Sequence, residues 1–249
     1  MHFTCFYLVL FRTFVHNIFT MEKRKVNALE YDNEIQNNRI EKERKFWDTF
    51  AKHYDKNNQN NAENVYCKLY KMFFEDIRGT KNLLEAGTGT GLIALRLSKL
   101  VPSITALDLS PEMLKIAQKK ANIKSIQNID FIEGDICNLK FTDHSYDIVI
   151  ASNVLHLLFD PERAISELKR VLKADGKIII PTYCHGENLL SRTISRMTGL
   201  AGFKVRTRWS VKSFQNFVKS TGFEVLKNEK IKGSIPLCYL VASPIKAHE

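Results

Sequence analysis

Paired cysteine is the first thing this chain lacks. Its five cysteines, Cys5, Cys67, Cys137, Cys184 and Cys238, are odd in number and far apart, and no two are spaced as CxxC. That excludes a disulfide framework and a zinc module of the usual spacing, and it fits a reducing compartment. There is no block of like charge either. Lys and Arg outnumber Asp and Glu, 37 to 27, but are scattered, and nucleic-acid binders usually cluster their charge. No long uninterrupted apolar run occurs. The most apolar stretch, "HFTCFYLVLFRTFVHNIF", is broken by Arg12 and His16 and has neither the basic start nor the small-residue cleavage site of a signal peptide. We expect residues 1–20 to be an extension ahead of a working start at Met21, with a weak membrane-surface anchor as the sharper alternative.

What is present reads as alternating strands and helices. Residues 1–45 are expected to form an N-terminal extension, partly disordered or helical, ahead of one domain over 46–249. Helical spacing of Phe46, Trp47, Phe50 and Tyr54, then of Val65, Leu69, Met72 and Phe73, predicts two helices around an Asn-rich loop. From residue 81 come "KNLLEAG" as a strand, "GLIALRLSKL" as a helix, and "SITALDL" as a second strand. A helix follows at "SPEMLKIAQKKAN", capped by Ser110 with Pro111 behind it. "IDFIEGD" and the almost wholly apolar "YDIVIASN" are the third and fourth strands. "DPERAISELKRVLKADG" reads as a helix closed by Gly176, and "KIIIPTY" as the fifth strand. "SVKSFQNFVKSTG" adds a helix, and "FEVLKNEKI" and "LCYLVAS" can pair as a hairpin. The alternation predicts an α/β, doubly wound, mostly parallel seven-stranded sheet with an antiparallel edge hairpin.

The glycine-rich turn "EAGTGTG" carries the chemistry. Gly87, Gly89 and Gly91 permit positive φ and remove the Cβ that would hold a ligand away. A dinucleotide turn is spaced G-x-G-x-x-G, whereas here Leu92 stands where its third glycine would fall. Glu85 lies two residues before Gly87, where a carboxylate would repel a pyrophosphate but suits a ligand bearing a cation. Asp108 ends the second strand, placed to accept the hydroxyls of a ribose. Asp135 ends the third, beside the apolar Ile136, placed to accept from an adenine amino group. Ligands of open α/β sheets bind at these carboxyl ends.

In order, "LLEAGTGTG", "ITALDLSPEML", "IEGDICNL", "YDIVIASNVLHLL" and "ELKRVLKADGKIII" resemble the successive motifs of class I S-adenosylmethionine-dependent methyltransferases, the small-molecule and quinone-type branch above all. The resemblance covers about residues 46–184. It implies the Rossmann-like methyltransferase fold and S-adenosyl-L-methionine as cofactor. Glu85, Gly87, Gly89 and Gly91 would hold the methionine end, and Asp108 the ribose, with Leu109 against the adenine. Asp135 and Ile136 would read the adenine edge, and Asn153 would line the sulfonium region. Tyr54 and Asp55 match a Tyr-Asp pair that many members carry in an N-terminal helix over the cofactor. Thr88 stands where a Cys is common.

Methyl transfer from a sulfonium needs no metal, and a base only where the acceptor must lose a proton. The candidate bases are His156 in "NVLHLL" and His185 in "PTYCHGEN"; the bland readings are a packed histidine and a solvated loop residue. Cys184 is read as an inert buried thiol. Residues 186–209, with Arg192, Arg196, Lys204, Arg206 and Arg208 among apolar groups, are expected to form a lid that admits an amphiphilic or anionic acceptor. The sequence thus predicts a cytoplasmic enzyme that methylates a small molecule. The alternatives are a phospholipid or prenyl-quinone methyltransferase in peripheral contact with a membrane, and a non-catalytic cofactor-binding scaffold. Nucleic acid is disfavoured as acceptor, since "ASNVLH" stands where an "NPPY"-like tetrapeptide would follow the fourth strand.

Overall fold

A computed structural model describes residues 37–52, 54–55, 63–200 and 205–246. The expectations for residues 1–20 fall outside them. By contact density the chain divides into Met1–Phe46 and Trp47–Glu249. In the first unit residues 37–46 are helical, with Arg44 donating to Glu41 at 2.7 Å. In the second, residues 47–52 (α1) and α2 (Glu63–Asp76) precede the sheet.

The sheet alternates as expected: β1 (Asn82–Ala86), α3 (Ala94–Leu97), β2 (Ser103–Asp108), α4 (Pro111–Ile123), β3 (Ile129–Glu133), β4 (Tyr146–Ile150), α5 (Pro161–Val171) and β5 (Leu172–Ile179). Then follow β6 (Thr182–Tyr183), α6 (Leu189–Leu200), α7 (Val211–Ser220), β7 (Phe223–Ile231) and β8 (Leu237–Pro244). The strand order is β3-β2-β1-β4-β5-β8-β6, with β7 on the free side of β8. β1 to β5 are parallel neighbours, and β8 is antiparallel to β5, β6 and β7. The expected edge hairpin is therefore β7–β8. Eight strands are formed where seven were predicted, because Pro181 divides the fifth. Proline has no N–H for the ladder, so β5 and β6 pair with successive stretches of β8.

Alternation along the strands fills two cores. In β4, Ile148 and Ile150 face one layer while Val149, and Ala151 just after the strand, face the other. The first layer is closed by Leu69, Met72 and Phe73 of α2 and by Ala94 and Leu97 of α3. The second is closed by Ala164, Ile165 and Leu168 of α5 and by Phe214 and Val218 of α7. Caps set the helix starts as the sequence indicated. Ser110 accepts from Met113 N at 3.1 Å, and Asp160 accepts from Arg163 N at 2.9 Å.

Two expectations are corrected. The helix opened by Asp160 ends at Val171, not Gly176. Ser145 N donates to Val171 O and Leu172 pairs with Tyr146, so sheet pairing captures the segment that helix propensity would have kept. The stretch 186–209 is not one long loop. It contains α6, whose start is closed by a reciprocal pair: Ser191 N donates to Asn188 Oδ1 at 2.8 Å, and Asn188 N to Ser191 Oγ at 3.0 Å. Asn as N-cap with a polar residue three positions on was the sequence signal for it.

Candidate active site

The carboxyl ends of β1, β2 and β4 converge on the glycine turn. Gly87, Gly89 and Gly91 all have left-handed φ, at 77°, 55° and 78°. A Cβ on Gly87 would lie 3.0 Å from Val154 Cγ2, and one on Gly91 would lie 2.9 Å from Ala117 Cβ. Those two glycines therefore let the backbone pack against its neighbours. Gly89 is different: among the described residues a Cβ there would meet only the ring of Tyr54, at 3.7 Å. The turn is tied to β2 as Gly87 N and Thr88 N both donate to Leu107 O, at 2.8 and 3.0 Å.

Asp108 fastens the same turn from β2. Its Oδ2 accepts from Gly89 N at 2.7 Å and its Oδ1 from Ser110 N at 2.9 Å. Burial raises its pKa despite these N–H donors and that of Leu109. A carboxylate offers about four acceptor positions, so both oxygens keep capacity for a ligand's hydroxyls. Leu109 beside it is half-buried.

Glu85 is 1% exposed and turns inward. Its Oε2 accepts from Thr88 Oγ1 at 2.8 Å and from Ala94 N at 2.9 Å, bracing the turn to the start of α3. Desolvation pushes its pKa up to about 8. Tyr54 lies over Gly89, and Asp55 accepts from Thr90 Oγ1 at 2.6 Å while pairing with Lys120 Nζ at 2.5 Å. α1 is latched nearby, where Ser110 Oγ donates to Asp48 Oδ1 at 2.5 Å. Sequence reasoning missed Asp48, which no spacing marked.

At the end of β3, Asp135 Oδ1 accepts from Cys137 N at 2.8 Å, closing a local turn, and Ile136 is buried. Asn153 follows β4 with φ of 56°, a conformation Asn tolerates better than most residues. Its N–H donates to Pro181 O at 2.8 Å, and its Oδ1 accepts from Tyr183 N at 3.1 Å, so it joins β4 to β6.

The two candidate bases come together. His156, in a short 3-10 turn over Leu155–Leu157, and His185, after β6, have ring centroids 5.2 Å apart with planes tilted by 35°. They are 2% and 4% exposed, so His185 is no solvated loop residue. Among the described residues, the Nδ1 atoms of both lack a hydrogen-bond partner. Burial and the neighbouring His185 push the His156 pKa down to about 3; burial and Arg208 push that of His185 down to about 4. Cys184 is buried and free, as expected.

This arrangement defines a doubly wound α/β domain whose candidate site lies at the carboxyl ends of its strands. Residues 84–180 match the methyltransferase domain family. The chain is 29% identical over 126 residues to the uncharacterized methyltransferase YcgJ of Bacillus subtilis, covering 50% of each. It is 33% identical over 140 residues to the demethylmenaquinone methyltransferase of Thermotoga maritima, covering 55% of this chain and 59% of that one. It superposes on a methyltransferase from Aquifex aeolicus with a TM-score of 0.57 at 18% identity, over 70% of this chain and 89% of the other. The chain spans about half the length of the curated relatives it matches.

Proposed function

We propose that the protein transfers a methyl group from S-adenosyl-L-methionine to a small-molecule acceptor within the domain over residues 46–249. The observation that carries this reading is the Gly89–Asp108 bond, which sets a ligand-facing glycine turn beside a carboxylate with acceptor capacity left. S-adenosylmethionine supplies an electrophilic methyl group on a sulfonium. Asp108 would accept the ribose hydroxyls, with Leu109 against the base, and Asp135 and Ile136 would read the adenine edge. Gly89 would let the backbone reach the methionine end, with Gly87 and Gly91 seating the turn against Val154 and Ala117, and with Asn153 nearby. Tyr54 would cover it and keep water out.

Glu85 changes meaning. With Oε2 held by the turn and its pKa near 8, it supports the turn first, and a cationic ligand would favour its ionised form. His156 and His185 would meet the acceptor through their unpartnered Nδ1 atoms. Both are neutral at pH 7, so they orient by hydrogen bonding and hold a transferred proton only weakly.

Titration calorimetry with S-adenosylmethionine tests the reading. Micromolar binding is expected, and no heat at millimolar ligand would sink it. A labelled methyl donor incubated with cell extract then sorts lipid, small-molecule and polymer acceptors.

One observation favours a second reading, a prenyl-quinone or phospholipid acceptor. Along α6, Leu189 is 80%, Leu190 59% and Met197 65% exposed, a group of exposed apolar side chains on one helix. No described helix is long and apolar enough to cross a membrane, so contact would be peripheral. Liposome co-sedimentation separates the two readings.

A further inference from the structure

α6 carries its side chains the opposite way round from an ordinary surface helix. Such a helix turns an apolar stripe to the core and polar groups to water. Here Ser191 and Ser195 are fully buried, while Leu189, Leu190 and Met197 stand exposed. Of the apolar side chains described in α6, only Ile194 turns partly inward. The buried serines are satisfied: Asn188 N donates to Ser191 Oγ at 3.0 Å, and Arg208 Nε to Ser195 Oγ at 3.0 Å. Hydrogen bonds hold the inner face, and the outer face keeps apolar area for a partner.

The outer face has two halves. At about 100° per residue, Leu189, Leu190, Thr193 and Met197 share one arc, and Arg192 and Arg196, a turn apart, line its flank. Thr193 Oγ1 donates to Leu189 O at 3.0 Å, so its hydroxyl makes little demand on water. Both arginines are exposed, and α6 contains no Asp or Glu. The nearest carboxylate in sequence, Glu187, is committed elsewhere: its Oε1 accepts from Lys230 Nζ at 2.7 Å and its Oε2 from Val211 N at 2.8 Å.

Charge and area select the partner. Two copies joined through α6 would set one basic, acid-free face on another. A stable protein interface takes about 800 Å² from each side, more than a few side chains offer on a helix about 18 Å long. A bilayer takes up apolar side chains one at a time, and anionic headgroups complement the arginines.

We propose that α6 is a docking surface for anionic phospholipid bilayers. Leu189, Leu190 and Met197 enter the headgroup boundary, and Arg192 and Arg196 meet lipid phosphate. The surface is tied to the candidate site, since Arg192 Nε and Nη2 donate to Gly186 O, next to His185, at 3.3 and 3.2 Å. Docking therefore brings the His185 segment to the membrane, and a lipid-soluble acceptor would come from it. Only this last step rests on the methyltransferase reading.

The full chain is sedimented with vesicles of phosphatidylcholine alone and of phosphatidylcholine mixed equally with phosphatidylglycerol. The mixed vesicles should bind at least about tenfold more tightly, because each arginine near an anionic surface contributes several-fold. R192Q/R196Q should lose most of that preference, and R192K/R196K should keep it. K119Q/K124Q removes the same charge from α4 and its end and should also keep it, which separates α6 from the chain's general basicity. L189S/L190S/M197S, altered only at exposed positions, should bind the mixed vesicles at least about tenfold more weakly. Equal binding to the two vesicle types overturns the proposal, as does equal loss in K119Q/K124Q and R192Q/R196Q. Parental sedimentation of L189S/L190S/M197S would move membrane contact elsewhere on the chain and overturn it too. Self-association abolished by the serine variant, without vesicle binding, would make a second copy the partner instead. Failure of S-adenosylhomocysteine to bind would remove the methyltransferase reading and leave the vesicle result standing.

Discussion

Gly89 donates its N–H to the Asp108 carboxylate at 2.7 Å, and through this bond the end of β2 shapes the turn that follows β1. One side chain thus serves the turn and, as proposed, the ribose. Asp108→Ala should weaken S-adenosylmethionine binding roughly a hundredfold, since two hydrogen bonds to a charged acceptor are lost (about 3 kcal/mol). Asp108→Asn keeps one acceptor oxygen and should cost about tenfold. Calorimetry reads both; an Asp108→Ala affinity equal to the parent's would remove Asp108 from the site.

Glu85 gives the protein a pH dependence of definite sign. Its folded pKa of about 8 lies above the ordinary carboxylate value, so the native state holds a proton that the unfolded chain has released. Stability from this group is full below about pH 4.5 and is lost as pH rises towards 8. Glu85→Gln should flatten that decline, gaining on the parent by up to a few kcal/mol at pH 8. Melting temperatures of both proteins between pH 5 and 8.5 check this, and parallel curves would contradict it.

The histidine pair acts in the opposite sense. Both folded pKa values, about 3 for His156 and about 4 for His185, lie below the ordinary histidine value. The unfolded chain therefore takes up protons first as pH falls. Stability from the pair is full above about pH 6.5 and is lost on acidification towards pH 4. His156→Leu with His185→Leu should be less acid-sensitive than the parent by urea denaturation at pH 7 and pH 5. Equal losses in the two proteins would place the acid sensitivity elsewhere.

Much of this was legible in the sequence because it is local. The glycine turn, the strand-end acids Asp108 and Asp135, and the caps Ser110 and Asp160 are each set by a few neighbouring residues. The histidine pair was legible only as two separate candidates. His156 and His185 lie 29 positions apart, and the pairing of β4 with β5, continued by Asn153 to Pro181 and Tyr183, brings them face to face. Likewise Leu172 to Gly176 have no local reason to leave the helix before them; the partner strand supplies it. A second dual role stayed hidden too, since nothing near Glu85 in sequence shows that its carboxylate faces inward.

Two glycines in the stretch after β6 should respond oppositely to the same substitution. A Cβ on Gly186 would stand 2.3 Å from Arg208 O, a backbone atom that cannot swing aside. Gly186→Ala must therefore push the arginine-bearing segment away from the histidine pair, at about 1–3 kcal/mol. Gly199, within α6, has nothing among the described residues within 4 Å of where a Cβ would stand. Gly199→Ala should add helix stability of about 0.5–1 kcal/mol. Urea denaturation of the two variants gives the signs directly. A Gly186→Ala protein with parental stability would show that the contact with Arg208 O is not rigid.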